Sequence, residues 1–192
     1  MPQLWVVAGP NGAGKTTLAE VWLADRLEVV SPDTIARTRA VSALQAGRLA
    51  MQRQHALLDA GADFAVETTL AGHHELALMR KATERGYKVS LVFVGVDGVF
   101  LCRSRITERV ARGGHTVPDA DVVRRYARSL ANLAPAMRLA ARTYVLDNSR
   151  RNHRLLLSVE AGRIKHRSER LPAWAETALA QGPELLNQDR PE

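Results

Sequence analysis

A glycine-rich segment near the start of the chain has the residue types and spacing of a phosphate-binding loop. The run Gly9-Pro10-Asn11-Gly12-Ala13-Gly14-Lys15-Thr16 matches G-x-x-x-x-G-K-[ST] at every position, and Thr17 follows it. Glycines let backbone N–H groups turn inward around phosphates, the lysine reaches the terminal phosphates, and the threonine hydroxyl can ligate Mg²⁺. The segment therefore predicts binding of ATP and Mg²⁺ by residues 9–17. The alternative is an ordinary glycine-rich turn between a strand and a helix.

Two carboxylates follow other apolar segments of the chain, at positions where buried strands would end. Asp33 follows one such segment, and Glu67 and Thr69 stand at the end of another. Open α/β sheets bind ligands at the carboxyl ends of their strands, so we expect all three side chains to face a substrate. Asp33 could deprotonate an acceptor hydroxyl or hold Mg²⁺ through water. The alternative is helix capping, by Asp33 before a helix opening at Ile35 or by Glu67 or Thr69 before one near Gly72.

Three arginines could neutralise negative charge on a transferring group. Arg105, Arg109 and Arg112 stand four and three residues apart, which places them on one face of a predicted helix. Phosphoryl transfer spreads charge over oxygens that arginines on a mobile segment can contact, and Gly113-Gly114 could be the hinge of such a lid. The alternative is a solvated basic helix face.

These candidate residues need a scaffold that brings them to one sheet edge. Short apolar segments alternate with segments of helical periodicity, which predicts an α/β fold: a P-loop NTPase with a mainly parallel sheet and helices on both faces. Beyond Asp147, two short strands around Ala161-Gly162 predict a small C-terminal β-hairpin. The predicted strands are 4–8, 27–31, 63–67, 88–94 and 143–147. Five helices are predicted between and after them: one that starts at Lys15, one from Ile35 to Leu58, one that ends near Gly86, one from Asp97 to Arg112, and one from Pro118 towards Arg142.

Length and composition limit the class of protein. A chain of 192 residues with 46% hydrophobic residues suits one domain, which we place at residues 1–171, followed by a C-terminal tail at 172–192. Seven basic and two acidic residues between Arg150 and Arg170 hold most of the net charge of +7. That stretch lacks the aromatic residues of a stacking platform, so nucleic acid is not the expected partner.

The cysteine content and the apolar runs bear on the compartment. Cys102 is the only cysteine, which excludes an intramolecular disulfide and fits a reducing compartment. No apolar run approaches the about 18 residues of a membrane span. We therefore expect a cytoplasmic protein with no membrane partner.

Taken together, these segments resemble the zeta-toxin family of P-loop kinases, over about residues 3 to 149. The resemblance implies a kinase that uses ATP to phosphorylate a hydroxyl of a UDP-linked N-acetylamino sugar, and a possible antitoxin protein as partner. The stretches that carry it are 9–16, Ser31-Pro32-Asp33-Thr34-Ile35-Ala36, 64–72, 105–118 and Arg124-Arg125-Tyr126.

The resemblance also implies roles for single residues. Lys15 and Thr16 become nucleotide and Mg²⁺ residues, with Lys15 also catalytic. Asp33 becomes the carboxylate that activates the acceptor, and Glu67 and Thr69 become substrate contacts.

The arginines are the least determined part of the resemblance. Arg105 and Arg112 are the nearest matches to the charge-stabilising arginines of the family, and Arg109 is assigned to substrate binding. Which of the three acts on the phosphates is left open. Two other functions are also open: a nucleoside or metabolite kinase, and a nucleotide-binding module with weak ATPase activity.

Overall fold

Strands and helices alternate along the chain. The structure is a computed structural model that describes residues 1–114 and 116–180, and no helix in these ranges is long and apolar enough to cross a membrane. The elements are β1 Gln3–Ala8, α1 Lys15–Trp22, β2 Glu28–Val30, α2 Pro32–Arg39, α3 Ala43–Asp59, β3 Phe64–Thr68, α4 His74–Glu84, β4 Lys88–Gly95, α5 Gly98–Ala111, α6 Asp119–Ala131, α7 Leu133–Leu139, β5 Arg142–Asp147, β6 Arg154–Glu160, β7 Arg163–Arg167 and α8 Ala173–Ala180.

The strands of the described residues form one seven-stranded sheet in the order β2-β3-β1-β4-β5-β6-β7. The first five strands of the chain are parallel, and β6 and β7 extend the sheet as an antiparallel hairpin. One face packs against α3, α4, α7 and α8, and the other against α1, α5 and part of α6. The predicted fold class is therefore confirmed. Because β1 lies between β3 and β4, its side chains are buried on both faces, which explains its continuous apolar sequence.

The single long helix predicted from Ile35 to Leu58 is wrong. The structure has two helices there, separated at Ala40, whose φ of 50° is left-handed. Ser42 starts the second helix through a capping box with Gln45, in which each side chain bonds the other residue's backbone N–H. The apolar periodicity continues across the break, so periodicity alone did not reveal it.

The helix predicted from Pro118 towards Arg142 is also two helices, α6 and α7. The break lies at Asn132, whose side-chain amide donates to the carbonyl oxygens of Leu70 (2.8 Å) and Gly72 (3.2 Å). Pro135 contributes, because proline has no N–H to bond a carbonyl of the preceding turn. The second helix can therefore start in a new direction.

The first part of the predicted tail is packed on the sheet. Ala173–Ala180 forms α8, and the side chain of Trp174 is only 5% exposed. Its indole N–H donates to Asp147 Oδ1 at 3.2 Å. A Cβ atom at Gly95 would lie 2.2 Å from the indole ring, so only glycine leaves room for Trp174 there. The rest of the predicted tail, residues 181–192, lies outside the described residues.

Candidate active site

The glycine-rich segment lies between β1 and α1, in the context that the motif requires. Lys15 is the first residue of the helix, and the backbone of residues 9–14 forms the preceding turn. Gly9 has a φ of 138°, and a Cβ atom there would lie 2.0 Å from the carbonyl oxygen of Val94. The sheet therefore packs against the loop so closely that no side chain fits. Thr17 follows on the exposed side of the first helical turn.

Lys15 is largely buried and bonds back onto the loop. Its side chain is 7% exposed, and Nζ donates to the carbonyl oxygen of Pro10 at 2.9 Å. Burial lowers the pKa of Lys15, while the charges of Glu67 and Asp33 act in the opposite direction. A cation removed from water attracts phosphate oxygens more strongly than an exposed one does, because the surroundings screen it less.

Glu67 contacts the loop directly. The parallel pairing of β1 with β3 places Glu67 opposite Val7, two residues before the loop begins. Thr16 Oγ1 donates to Glu67 Oε1 at 2.7 Å, across 51 positions of sequence, and Glu67 is 7% exposed. The sequence predicted a substrate contact for this carboxylate, whereas the structure places it on the threonine of the phosphate loop.

Asp33 lies at the start of α2 but does not cap that helix. The helix begins at Pro32, and the residue that caps it is Ser31, whose hydroxyl accepts from the Thr34 N–H at 3.4 Å. Asp33 is exposed. The capping alternative for this carboxylate is therefore wrong, and its side chain is available for another role.

Glu67 and Thr69 do not cap a helix either. The next helix, α4, begins at His74, later than the start near Gly72 that the sequence suggested. Its N-cap is His73, which makes no side-chain capping hydrogen bond. The capping alternative is thus wrong for these two residues as well.

A cavity of about 350 Å³ brings the predicted residues together. Lys15, Asp33, Glu67 and Thr69 all line it. Three separate strand ends contribute, those of β1, β2 and β3, which are neighbours in the sheet. The edge where open α/β sheets bind ligands thus carries one lysine, two carboxylates and a hydroxyl around a single space.

The arginines of α5 are spread along the helix instead of meeting in this cavity. Arg105 donates to the carbonyl oxygens of Gly12 (3.4 Å) and Asn148 (2.7 Å). The Asn148 side chain in turn donates to Ala13 at 2.8 Å, so both residues brace the phosphate loop. Arg112 is exposed where α5 ends, and Arg109, whose charge disfavours the charged form of Lys15, stands between them. Sequence reasoning did not predict the role of Asn148, which no local motif marks.

Three arginines of α6 line the cavity instead. Arg124, Arg125 and Arg128 face it, and the first two share one partner, Asp121, at 2.8 and 3.5 Å. In the sequence, the first two stand only in a stretch that carries the family resemblance, and no role was predicted for them. Their spacing on one helix was a usable signal, because Arg128 stands four positions after Arg124 and three after Arg125, and residues three and four apart share a helix face.

The oxygens at the loop fit a magnesium ion. No group of three or more histidine, cysteine or acidic residues that could hold a metal occurs in residues 1–114 and 116–180. Mg²⁺ in nucleotide sites needs only one or two protein oxygens, because phosphates and water supply the rest. Thr16 donates its hydroxyl hydrogen to Glu67, which leaves the lone pairs of its oxygen for a cation.

The fold and the site define a P-loop domain of the kinase-like α/β type. Residues 4–135 match the family model described as AAA domain, and the chain belongs to that family. It is also similar to an uncharacterized protein of Haemophilus influenzae, with 31% identity over 137 residues that cover 65% of this chain and 97% of the relative.

Solved structures share the fold at low sequence identity. The complex AvrRxo1-ORF1:AvrRxo1-ORF2 determined with ATP has a TM-score of 0.72 at 16% identity, over 100% of this chain and 66% of that one. A structure from the PezAT chromosomal toxin-antitoxin system of Streptococcus pneumoniae has a TM-score of 0.62 at 13% identity, over 97% and 86%. A second structure of the AvrRxo1-ORF1:AvrRxo1-ORF2 complex, determined with sulphate ions, matches 86% of this chain. This chain spans 60% of the length of the chain that it matches there.

Proposed function

We propose that this protein is an ATP-dependent kinase that transfers a phosphoryl group to a hydroxyl of a small molecule. The observation that carries the proposal is the shared cavity of Lys15, Asp33 and Glu67. Phosphates bound on the loop would lie beside a carboxylate that can take a proton from an acceptor.

Each residue has a role that its surroundings support. Lys15 neutralises charge on the terminal phosphates, and Thr16, held by Glu67, would bind Mg²⁺, which screens phosphate charge when present. Asp33 accepts the proton of the attacking hydroxyl. Arginines of α5 and α6 neutralise the charge that develops on the transferring group.

A UDP-linked N-acetylamino sugar is the first candidate for the acceptor. The resemblance to zeta toxins supports it, whereas the fold shared with a structure from a toxin-antitoxin system bears on the partner and not on the acceptor. The ATP present in the AvrRxo1-ORF1:AvrRxo1-ORF2 structure supports ATP as the donor. The same resemblance makes an antitoxin protein a candidate partner. The cytoplasm remains the expected compartment.

Product analysis tests the proposal. The protein is incubated with Mg·ATP and a panel of sugar nucleotides, nucleosides and sugars, and products are identified by mass spectrometry. We expect a phosphorylated acceptor, and its identity separates the sugar-nucleotide kinase from a nucleoside or metabolite kinase. Formation of only ADP and free phosphate would overturn the kinase in favour of a weak ATPase.

Lys15→Ala is the matching variant for this experiment. It should abolish transfer, since Lys15 is the lysine that the loop places at the terminal phosphates. Lys81→Ala, an exposed lysine on α4, is the control and should behave like the wild type. Full activity in a folded Lys15→Ala protein would contradict the proposed function.

A further inference from the structure

The loop that follows β3 is fixed from several directions. The hydroxyl oxygen of Thr68 accepts from the Leu70 N–H at 3.0 Å, and Asn132 holds the carbonyl oxygens of Leu70 and Gly72. Leu70 is fully buried and has a backbone φ of 55°, a conformation that residues other than glycine rarely adopt. Strained residues of this kind persist where the surrounding structure demands one loop shape, and they cluster at functional sites.

Thr68 also fixes the carboxylate of Glu75, near the start of α4. Its hydroxyl donates to Glu75 Oε1 at 2.8 Å. The other oxygen, Oε2, is buried and has no hydrogen-bond partner among the described residues. A Cβ atom at Gly72 would lie 3.2 Å from Oε2, a tight contact, so this oxygen packs closely against the glycine. A buried carboxylate oxygen without a donor is costly, and the fold keeps it nonetheless.

This carboxylate belongs to the cavity of the proposed kinase. Thr68, Gly72 and Glu75 line it together with Asp33, the proposed base. An acceptor whose hydroxyl lies at Asp33 therefore enters the cavity that Glu75 also lines. Such an acceptor can carry the hydrogen-bond donor that Oε2 lacks.

We propose that Glu75 recognises the acceptor, with Oε2 accepting a hydrogen bond from an O–H or N–H group next to the hydroxyl that is phosphorylated. Thr68 is its positioning residue. This inference rests on the proposed function and defines the substrate class more narrowly: the acceptor carries a second O–H or N–H donor beside the hydroxyl that is phosphorylated, as a polyol or an amino sugar does. Glu75 determines specificity, since binding sites that present a polar group reject molecules that cannot pair with it.

Glu75→Gln is the decisive variant. It keeps the side-chain shape and the contact with Thr68, but turns an N–H group towards the donor of the acceptor. The KM for the acceptor should rise by about 10- to 100-fold, the effect of losing a hydrogen bond to a charged group, while the KM for ATP stays unchanged. Glu84→Gln, the same change at the exposed end of α4, is the matched control and should leave both constants unchanged.

The probe is the acceptor of the panel that the wild type phosphorylates fastest, starting with UDP-N-acetylglucosamine. An analogue of it lacking the donor group should be a poorer substrate for the wild type, but no poorer than the parent acceptor for Glu75→Gln. If Glu75→Gln does not fold, Glu75→Asp, which withdraws the carboxylate by one methylene, takes its place with the same expectation.

The outcomes separate the two proposals. An unchanged acceptor KM in an active variant overturns the role of Glu75 and leaves the kinase intact. Equal changes in both KM values point to a structural role and overturn it too. If the wild type phosphorylates no acceptor, the proposed function fails, and the inference fails with it.

Discussion

At the residue scale, the two carboxylates of the site, Glu67 and Asp33, differ in their surroundings. Glu67 bonds Thr16 in the phosphate loop, whereas Asp33 lines the same cavity and is exposed. The first arrangement suits a residue that holds a metal ligand in place, and the second suits a base that must meet a substrate. Ser31 caps α2, so the cap of that helix does not depend on Asp33.

Asp33→Asn tests the role of the base. The substitution keeps the shape but loses proton affinity, so transfer should fall by about 10²- to 10⁴-fold, while affinity for Mg·ATP changes little. Transfer rate and nucleotide affinity are measured on the same protein. Asp25→Asn, in the exposed loop after α1, is the control and should be silent. Weaker Mg·ATP binding would instead assign Asp33 to the metal, and normal activity would remove it from the mechanism.

At the element scale, two helices carry arginines at the site, α5 beside the phosphate loop and α6 at the cavity. Helix α5 uses Arg105 to brace the phosphate loop and ends in a glycine cap, in which the Gly114 N–H bonds the carbonyl oxygen of Arg109 at 2.9 Å. Arg112 is exposed beyond the last turn of that helix. Helix α6 is different, because it directs its arginines into the cavity.

We therefore expect Arg125→Ala to lower kcat by about 10²- to 10³-fold, the usual effect of removing a group that stabilises transition-state charge. ATP affinity should change less than kcat, because that charge develops mainly during transfer. Arg112→Ala, measured in parallel, is expected to have the smaller effect. The reverse result would show that the end of α5 moves onto the phosphates during turnover, as the lid hypothesis from the sequence holds.

At the scale of the whole molecule, α8 completes the core on one face of the sheet. Its Trp174 packs against Phe93, with ring centroids 6.1 Å apart, and bonds the buried Asp147 at the end of β5. The loop after β5 contains Asn148, which braces the phosphate loop. The helix thus supports the sheet edge on which the site depends.

Trp174→Ala should lower the free energy of unfolding by about 3–5 kcal/mol, because it leaves a large cavity in the core. Urea denaturation followed by circular dichroism measures the change. Trp22→Ala is the matched control: Trp22 is 53% exposed, so its loss should cost less than about 1 kcal/mol. Similar losses in both variants would show that α8 is not an integral part of the fold.

The sequence by itself determined the phosphate loop, the parallel strands and the residues that stand at their ends. These features are local: a glycine turn, an apolar run and a following polar residue are set by neighbours in the chain. The placement of Lys15, Asp33 and Thr69 at one sheet edge followed from them, because parallel strands end at a common edge.

Only the tertiary structure decided how those residues pair. Glu67 contacts Thr16 because β3 lies beside β1, a neighbour relation that no local pattern encodes. The helix break at Ala40 depends on the capping residues that follow it, and the break at Asn132 depends on a distant loop. The apolar periodicity continues across both breaks, so it predicted one helix in each place. The position of the Glu75 carboxylate also depends on the folded loop, because Thr68, seven residues earlier, donates to its Oε1. Contacts between distant segments form when the chain buries its apolar surface, and that burial specifies the partner of each polar group.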